Sequence, residues 1–283
     1  MPAIIIDGKE TAKQIRISIK KRSQKLAEGG IVPTLAVILV GDDAGSQIYV
    51  RNKESACEKC AIRSIVIRMP ADTAQDDLHA EIDRINADDS IHGLLIQLPL
   101  PRHLDEMAAI RRVDYRKDVD GFHLINAGAL LLGEPASAAC TPSGCIELLK
   151  RYNVPLASKN AVVIGRSNIV GKPMALLLLR EHCTVTICHS RTDGIRDIAR
   201  SADILVAALG RPGFVTADMV KPGAAVIDVG VNRLPDGKVC GDVDYGAVSE
   251  IAGWITPVPG GVGPMTIAML MNNTLEAAAR YGR

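Results

Sequence analysis

Hydrophobic positions along the chain fall into two alternating series separated by a stretch where the pattern weakens. In the first, Thr34 to Val40 (TLAVILV) is a near-continuous apolar run. It is followed by a helical stretch from about Ser46, a second run from Ile62 to Met69, a polar helix from about Ala74 to Asn86, and Gly93 to Leu98 (GLLIQL). Upstream, Ile15, Ile19 and Leu26 are spaced for one face of a helix ending at Gly29-Gly30. Short apolar runs alternating with helices predict parallel β-α-β units, because a strand covered on both faces loses its polar alternation.

Between Arg111 and Ser143, charges, Gly and Pro interrupt the pattern, and a second series then begins. Its strands are expected at Ala161 to Ile164, Thr184 to Cys188, Ile204 to Leu209 and Ala224 to Val229, with helices between them. The fold class this predicts is α/β with two domains, residues 1–140 and 141–263, and a cleft between them where small-molecule chemistry is usually found. A last helix, from about Pro264 to Tyr281, follows the run Thr256-Pro-Val-Pro-Gly-Gly-Val-Gly-Pro. It is expected to return to the first domain, so that residues 264–283 complete it.

Composition agrees with this reading. Of the 283 residues, 47% are hydrophobic but only 3% aromatic, which suits aliphatic strands under helices. A net charge of +1 gives no reason to expect a nucleic acid or an acidic membrane as partner, and the one basic cluster, Lys20-Lys21-Arg22, reads as a solvated helix face. Neither a leader pattern nor a bilayer-length apolar stretch is found, so a soluble cytoplasmic protein is expected. The seven cysteines, an odd number, read as reduced and mostly buried. Cys57 and Cys60 form a C-x-x-C within a helical pattern without a second pair nearby, and the histidines form no ligand pair, so no metal is expected.

Candidate chemistry begins after Ala161-Val-Val-Ile, which runs into Gly165-Arg166-Ser167-Asn-Ile169-Val-Gly171 and then a helix with Pro173 in its first turn. A strand, Gly-rich turn and helix in that order aim backbone N–H groups and a positive helix end at a phosphate. The spacing is not G-x-G-x-x-G, and an ordinary β-α turn is the alternative. The next strand ends in His189-Ser190-Arg191-Thr192, where an NAD site usually presents a carboxylate to the ribose. With Ser190 there, and Arg166 and Arg191 able to contact a 2′-phosphate, NADP is favoured over NAD.

In the first series, Tyr49 and Lys53 are four apart and share a helix face. Gln97 ends a strand before Pro99-Leu-Pro101, and Asp120 lies in Lys117-Asp-Val-Asp-Gly-Phe122. Taken alone, Lys53 reads better as a solvated side chain, and the other three are weak signals.

Together they form a pattern. Tyr-x-x-x-Lys at 49–53, Gln-Leu-Pro-Leu-Pro at 97–101, Lys-Asp-Val-Asp-Gly-Phe at 117–122, Gly-Arg-Ser-Asn-Ile-Val-Gly-Lys-Pro at 165–173 and Pro-Val-Pro-Gly-Gly-Val-Gly-Pro-Met-Thr at 257–266 occur in this order. The set closely resembles the bifunctional methylenetetrahydrofolate dehydrogenase/methenyltetrahydrofolate cyclohydrolase family over essentially the whole chain. The resemblance implies an N-terminal folate-binding domain, a Rossmann-like NADP-binding domain, a folate substrate in the cleft and a homodimer. It implies that Lys53 is the catalytic lysine, Gln97 its hydrogen-bonding partner, Tyr49 a ring stacking on the aminobenzoyl group, and Asp120 the carboxylate that holds the pterin. Leu98 and the loop Pro259, Gly260, Gly261, Val262, Gly263 and Pro264 correspond to further substrate contacts. Gly165, Arg166, Ser167, Ile169, Ser190, Arg191 and Val231 correspond to cofactor contacts.

The chain departs from the family pattern at Ala61, where relatives commonly carry Gly, and at Glu54-Ser55, where they carry basic residues. These departures put local helix packing in question rather than activity. The competing readings are a family member with only one of the two activities, a shikimate-type dehydrogenase, and a non-catalytic binding module. The shikimate-type reading leaves Tyr49, Gln97 and the Pro-Gly-Gly-Val-Gly-Pro loop without a purpose, and the binding module leaves Lys53 and Asp120 so.

Overall fold

The computed structural model describes residues 2–282. In chain order the first half contains β1 (Ile4–Ile5), α1 (Gly8–Glu28), β2 (Thr34–Val40), α2 (Ala44–Lys59), β3 (Arg63–Met69), α3 (Gln75–Asn86), β4 (Gly93–Ile96), α4 (Glu106–Arg112) and α5 (Leu124–Leu132). The second half contains α6 (Cys140–Arg151), β5 (Asn160–Ile164), α7 (Gly171–Arg180), β6 (Thr184–Cys188), α8 (Ile195–Arg200), β7 (Ile204–Ala207), β8 (Ala225–Asp228), β9 (Asn232–Arg233), β10 (Val239–Cys240), α9 (Tyr245–Ser249), β11 (Trp254–Ile255) and α10 (Val262–Tyr281). The chain separates into two compact units, one formed by Lys13–Cys140 with the segment from Ile267 on, the other by the residues up to Ala12 with Thr141–Thr266.

The unit containing Lys13–Cys140 is built on a parallel sheet of order β3-β2-β4. All seven residues of the central strand β2 are buried, which is why its sequence is unbroken by polar positions. Ile38 and Val40 pack with Leu78, Ile82 and Ile85 of α3 and with Leu94 and Ile96 of β4. Beside β4 the chain returns at Lys117 and Asp118: Leu94 N–H donates to the Lys117 carbonyl, and Leu94 and Asp118 form a parallel bridge. That return brings the Asp120 loop alongside β4, the strand that leads into Gln97.

Helix α2 starts two residues before the expected Ser46 because the Asp43 carboxylate caps it, accepting from Ser46 N–H at 2.7 Å. At its other end, Ile62 N–H donates back to the Cys57 carbonyl and Ala61 N–H to Glu58, a terminating arrangement that puts Ala61 in the left-handed region at φ +53°.

The other unit holds a six-stranded sheet of order β1-β11-β8-β7-β5-β6, parallel throughout. Strand order reverses at β5, with β6 on one side and β7 on the other, which is the switch point of a Rossmann-like sheet. Residues at the start of the chain, grouped by sequence with 1–140, pair here instead, since Ile4 and Ile5 add β1 in register with Trp254 and Ile255. These two-residue strands and the β9-β10 hairpin are too short to register as a period. In the interval from Arg111 to Ser143, α5 forms between two end signals, His123 Nδ1 accepting from Ile125 N–H and Gly133 closing the helix at φ +78°.

Among the described residues no helix is long and apolar enough to cross a membrane. All seven cysteines are free, and six of them, including Cys57 and Cys60, are buried.

Candidate functional site

Lys53 lies in the middle of α2 and Gln97 one residue beyond β4, where its N–H still donates to the Ile38 carbonyl and continues the sheet ladder. The Lys53 ammonium donates to Gln97 Oε1 at 2.9 Å, and Gln97 Nε2 donates to the Leu98 carbonyl at 2.6 Å. The second bond fixes which end of the amide meets the lysine. Gln97 is 7% exposed, so its orientation is held by both partners in surroundings that exclude most water. The following Leu98–Pro99 peptide is cis.

Burial pulls the Lys53 ammonium below its ordinary pKa, and the nearby Asp120, Cys140 and Cys57 oppose that shift without cancelling it. The Asp120 carboxyl is raised to about 6, chiefly by burial; Lys53 draws it down and Asp118 pushes it up. A lysine and a carboxyl with pKa values moved toward neutrality stand within electrostatic range of each other, an arrangement suited to handling protons near pH 7. Tyr49 is one turn earlier on α2 and 54% exposed, its ring accessible to a flat ligand. Leu98, Ile110, Asp120 and Phe122 line a small recess on the same unit.

Sequence reasoning missed what holds Asp120 in place. Asp118 is buried and accepts from the N–H groups of Gly121, Phe122 and His123 and from Asn126 Nδ2. Asn273, on α10, donates to the Val119 and Ala138 carbonyls, and Cys140 Sγ also donates to Val119 O. The D-x-D-G spacing was a usable signal for Asp118, because a short acidic side chain before Gly readily accepts from backbone N–H groups ahead of it. Asn273 carried no local signal.

In the other unit, β5 runs into a loop whose first residue, Gly165, has φ +133°. A Cβ there would lie 2.2 Å from the Ala208 carbonyl oxygen, so only glycine fits. Ser167 Oγ accepts from the N–H groups of Val170 and Gly171 and shapes the turn into α7. Arg166, Ser167 and Ile169 are exposed on this loop, and among the described residues no backbone acceptor engages the N–H groups of residues 166–169. Those free amides beside a helix start are a chemically fitting cradle for a pyrophosphate. Ser190 and Arg191, also exposed, follow β6, the strand adjacent to β5. Their turn is held by His189, whose N–H donates to Thr192 Oγ1 and whose Nδ1 accepts from Arg191 N–H. Val231 follows β8 and is 61% exposed.

The structure thus brings Lys53, Gln97 and Asp120 together, with Tyr49 and Leu98 beside them on the same unit. It assigns Pro259–Thr266 to the other unit, where the Gly260 carbonyl accepts from Lys9 N–H. Helix α10 begins at Val262, so Val262, Gly263 and Pro264 form its first turn. Among the described residues no group of three or more His, Cys, Asp or Glu side chains is placed to hold a metal ion.

Comparison with known proteins gives a consistent result over the whole chain. Residues 6–120 match the family described as tetrahydrofolate dehydrogenase/cyclohydrolase, catalytic domain, and residues 139–282 the corresponding NAD(P)-binding domain. The bifunctional protein FolD of Cupriavidus taiwanensis is 56% identical over 280 residues, 99% of each chain. Among solved structures, the bifunctional methylenetetrahydrofolate dehydrogenase/cyclohydrolase FolD of Campylobacter jejuni superposes with a TM-score of 0.97 at 47% identity, covering 98% of this chain and 99% of that one. The Trypanosoma brucei methylenetetrahydrofolate dehydrogenase-cyclohydrolase, solved with NADP cofactor and an inhibitor, superposes with a TM-score of 0.94 at 39% identity, covering 99% and 98%.

Proposed function

The chain belongs to the tetrahydrofolate dehydrogenase/cyclohydrolase family, and on that footing we propose that Lys53, oriented by Gln97, carries the hydrolytic half of a bifunctional cycle. The enzyme oxidises 5,10-methylenetetrahydrofolate with NADP and hydrolyses the resulting methenyl compound to 10-formyltetrahydrofolate. The observation that carries the division of roles is the Lys53–Gln97 bond beside Asp120.

Bound NADP supplies the acceptor for the hydride that leaves the methylene carbon. What the chain must do in that step is align and exclude water. Tyr49 offers a ring face to the aminobenzoyl group, and Asp120, with Leu98 next to the catalytic glutamine, holds the pterin end. The amides of residues 166–169 take the pyrophosphate, with Gly165 allowing close approach. Arg166, Ser190 and Arg191 take the 2′-phosphate, and Ile169 and Val231 give apolar contacts to the cofactor.

In the second step a water oxygen bonds to the methenyl carbon and gives up one proton; the hydroxyl so formed then gives up its own proton as the carbon–N5 bond breaks and N5 takes one up, leaving the formyl group on N10. Net, one proton is released. Lys53 is the group placed to move these protons: its lowered pKa makes the neutral amine accessible, and Gln97 Oε1 keeps its Nζ in one position through both transfers. A cationic substrate close by would lower that pKa further.

The loop Pro259, Gly260, Gly261, Val262, Gly263 and Pro264 completes the substrate contacts in this reading. Lys13–Cys140 with the segment from Ile267 on form the folate-binding domain, and the residues up to Ala12 with Thr141–Thr266 the NADP-binding domain. The reading extends to a homodimer in the cytoplasm, with sedimentation of the purified protein as the check on subunit number.

The deciding experiment follows reduced nicotinamide and methenyl compound separately, in wild type and Lys53→Met. Wild type should form NADPH without a matching build-up of methenyl compound. The variant should still form NADPH while methenyl compound accumulates; unchanged methenyl hydrolysis in the variant would remove Lys53 from this role.

A further inference from the structure

Two buried carboxylates in the unit that carries β5 have no part in the chemistry above. Asp228 ends β8 and Asp242 follows β10; they are 3% and 0% exposed. Among the described residues neither joins a salt bridge, and both charges are held by N–H groups alone. Asp242 Oδ2 accepts from Leu209 N–H at 2.6 Å and Gly210 N–H at 2.9 Å, and its Oδ1 from Arg211 N–H at 2.7 Å and Asn232 Nδ2 at 2.8 Å. Asp228 Oδ1 accepts from the N–H groups of Gly230 and Asp242, and Oδ2 from Val243 N–H, each at 2.9 Å.

Glycines make room for the pair. A Cβ on Gly241 would lie 1.8 Å from Asp228 Oδ2, and one on Gly230 2.3 Å from the Asp242 carboxyl. So many donors gathered on two desolvated carboxylates is a built feature, because each of these charges is costly to bury unless its oxygens are satisfied.

What the pair ties together is the cofactor edge of the sheet. Residues 209–211 leave the end of β7 and residues 229–232 the end of β8, the two strands beyond β5 from the switch point. The first loop begins at Ala208, whose carbonyl forms the wall against Gly165, and the second contains Val231, flanked by two residues that are both bonded to the carboxylates. Residues 208–211 have no regular structure to fix their course, and residues 229–231 none before β9 begins at Asn232.

We propose that Asp242, seated by Asp228, is a positioning residue for NADP: it locks the 208–211 and 230–232 loops so that the wall behind Gly165 and the Val231 contact are formed before the cofactor arrives. This rests on the cofactor reading given above. Preorganisation of this kind acts on cofactor affinity, because loops already held in the bound form lose less freedom on binding.

The test uses the full-length enzyme, with NADP affinity measured by calorimetry and methenyl hydrolysis, which consumes no cofactor, as the readout of an intact fold. Asp242→Asn keeps the shape but turns an NH2 toward N–H donors whichever way the amide sits. It should raise the NADP Kd by about tenfold or more, on the scale of a lost charged hydrogen bond. Asn232→Ala removes a single bond from the hub and should raise the Kd severalfold, and it serves if Asp242→Asn fails to fold. An NADP Kd unchanged in Asn232→Ala and in folded Asp242→Asn overturns the proposal. Failure of the wild type to bind NADP would instead overturn the cofactor reading itself.

Discussion

Lys53 and Gln97, 44 residues apart in the chain, meet at 2.9 Å, and the Leu98 carbonyl holds the amide from its other end. The acceptor for the lysine is therefore oriented before substrate binds. Replacing Gln97 by Met leaves a partly buried ammonium without its bond, which lowers the Lys53 pKa further and frees Nζ to wander. Methenyl hydrolysis should fall by about 10²-fold, the scale of a misplaced general acid–base, while NADPH formation falls far less. Equal losses in the two rates, measured on the same preparation, would count against a role confined to the second step.

Asp120 should cost the fold stability at neutral pH. Its folded pKa, about 6, lies above the ordinary 3.8, so the native state holds this proton more tightly than the unfolded chain does. The stabilising contribution of the protonated form is complete in acid and is lost as pH rises from about 4 to about 6. Asp120→Asn should therefore raise the unfolding free energy at pH 7.5 by about 1 kcal/mol, once the shift is discounted for partial exposure. The gain should vanish near pH 4 in denaturant titrations. The same variant should bind folate more weakly and lower the Lys53 pKa, since Asp120 is the largest group opposing that shift.

Ala61 occupies a left-handed position, φ +53°, at the end of α2. A Cβ in that region costs about 1–2 kcal/mol, of which the greater freedom of glycine in the unfolded chain returns a part. Ala61→Gly should stabilise the enzyme by about 0.5–1 kcal/mol, with kcat unchanged, read from the shift in urea midpoint. The departure from the family pattern noticed at this residue is thus a matter of backbone strain.

Ser190 is exposed just beyond the strand beside β5, and in the cofactor reading proposed above a carboxylate there would face the 2′-phosphate. Ser190→Asp should raise the Kd for NADP by at least about tenfold, or 1.4 kcal/mol, and leave NAD binding nearly untouched. Parallel titrations with the two nucleotides check it. Equal weakening of both would mean that Ser190 lies elsewhere than against the 2′-phosphate.

The long strands were legible from sequence because burial on both faces imposes a run of apolar residues that needs no partner to be seen, as in β2, β5, β7 and β8. Short pieces were not: two-residue strands such as β1 and β11 carry no period and exist only because a sheet edge is available to pair with. In the same way, Lys53, Gln97 and Asp120 were readable as a set by their motifs, and Asp118 had a signal in its D-x-D-G spacing, whereas Asn273, Asp228 and Asp242 had none.

By itself the sequence determined the alternation of strands and helices, the glycine turn after β5 and the residue types available for chemistry, since each of these depends on near neighbours in the chain. Only the tertiary structure decided that an amide oxygen would meet Lys53, that the first residues would join the larger sheet, and that two buried carboxylates would be satisfied by loops from three different strands. Those outcomes depend on distances between segments tens of residues apart, and a hydrogen bond acts only within about 3 Å, a condition that no local pattern encodes.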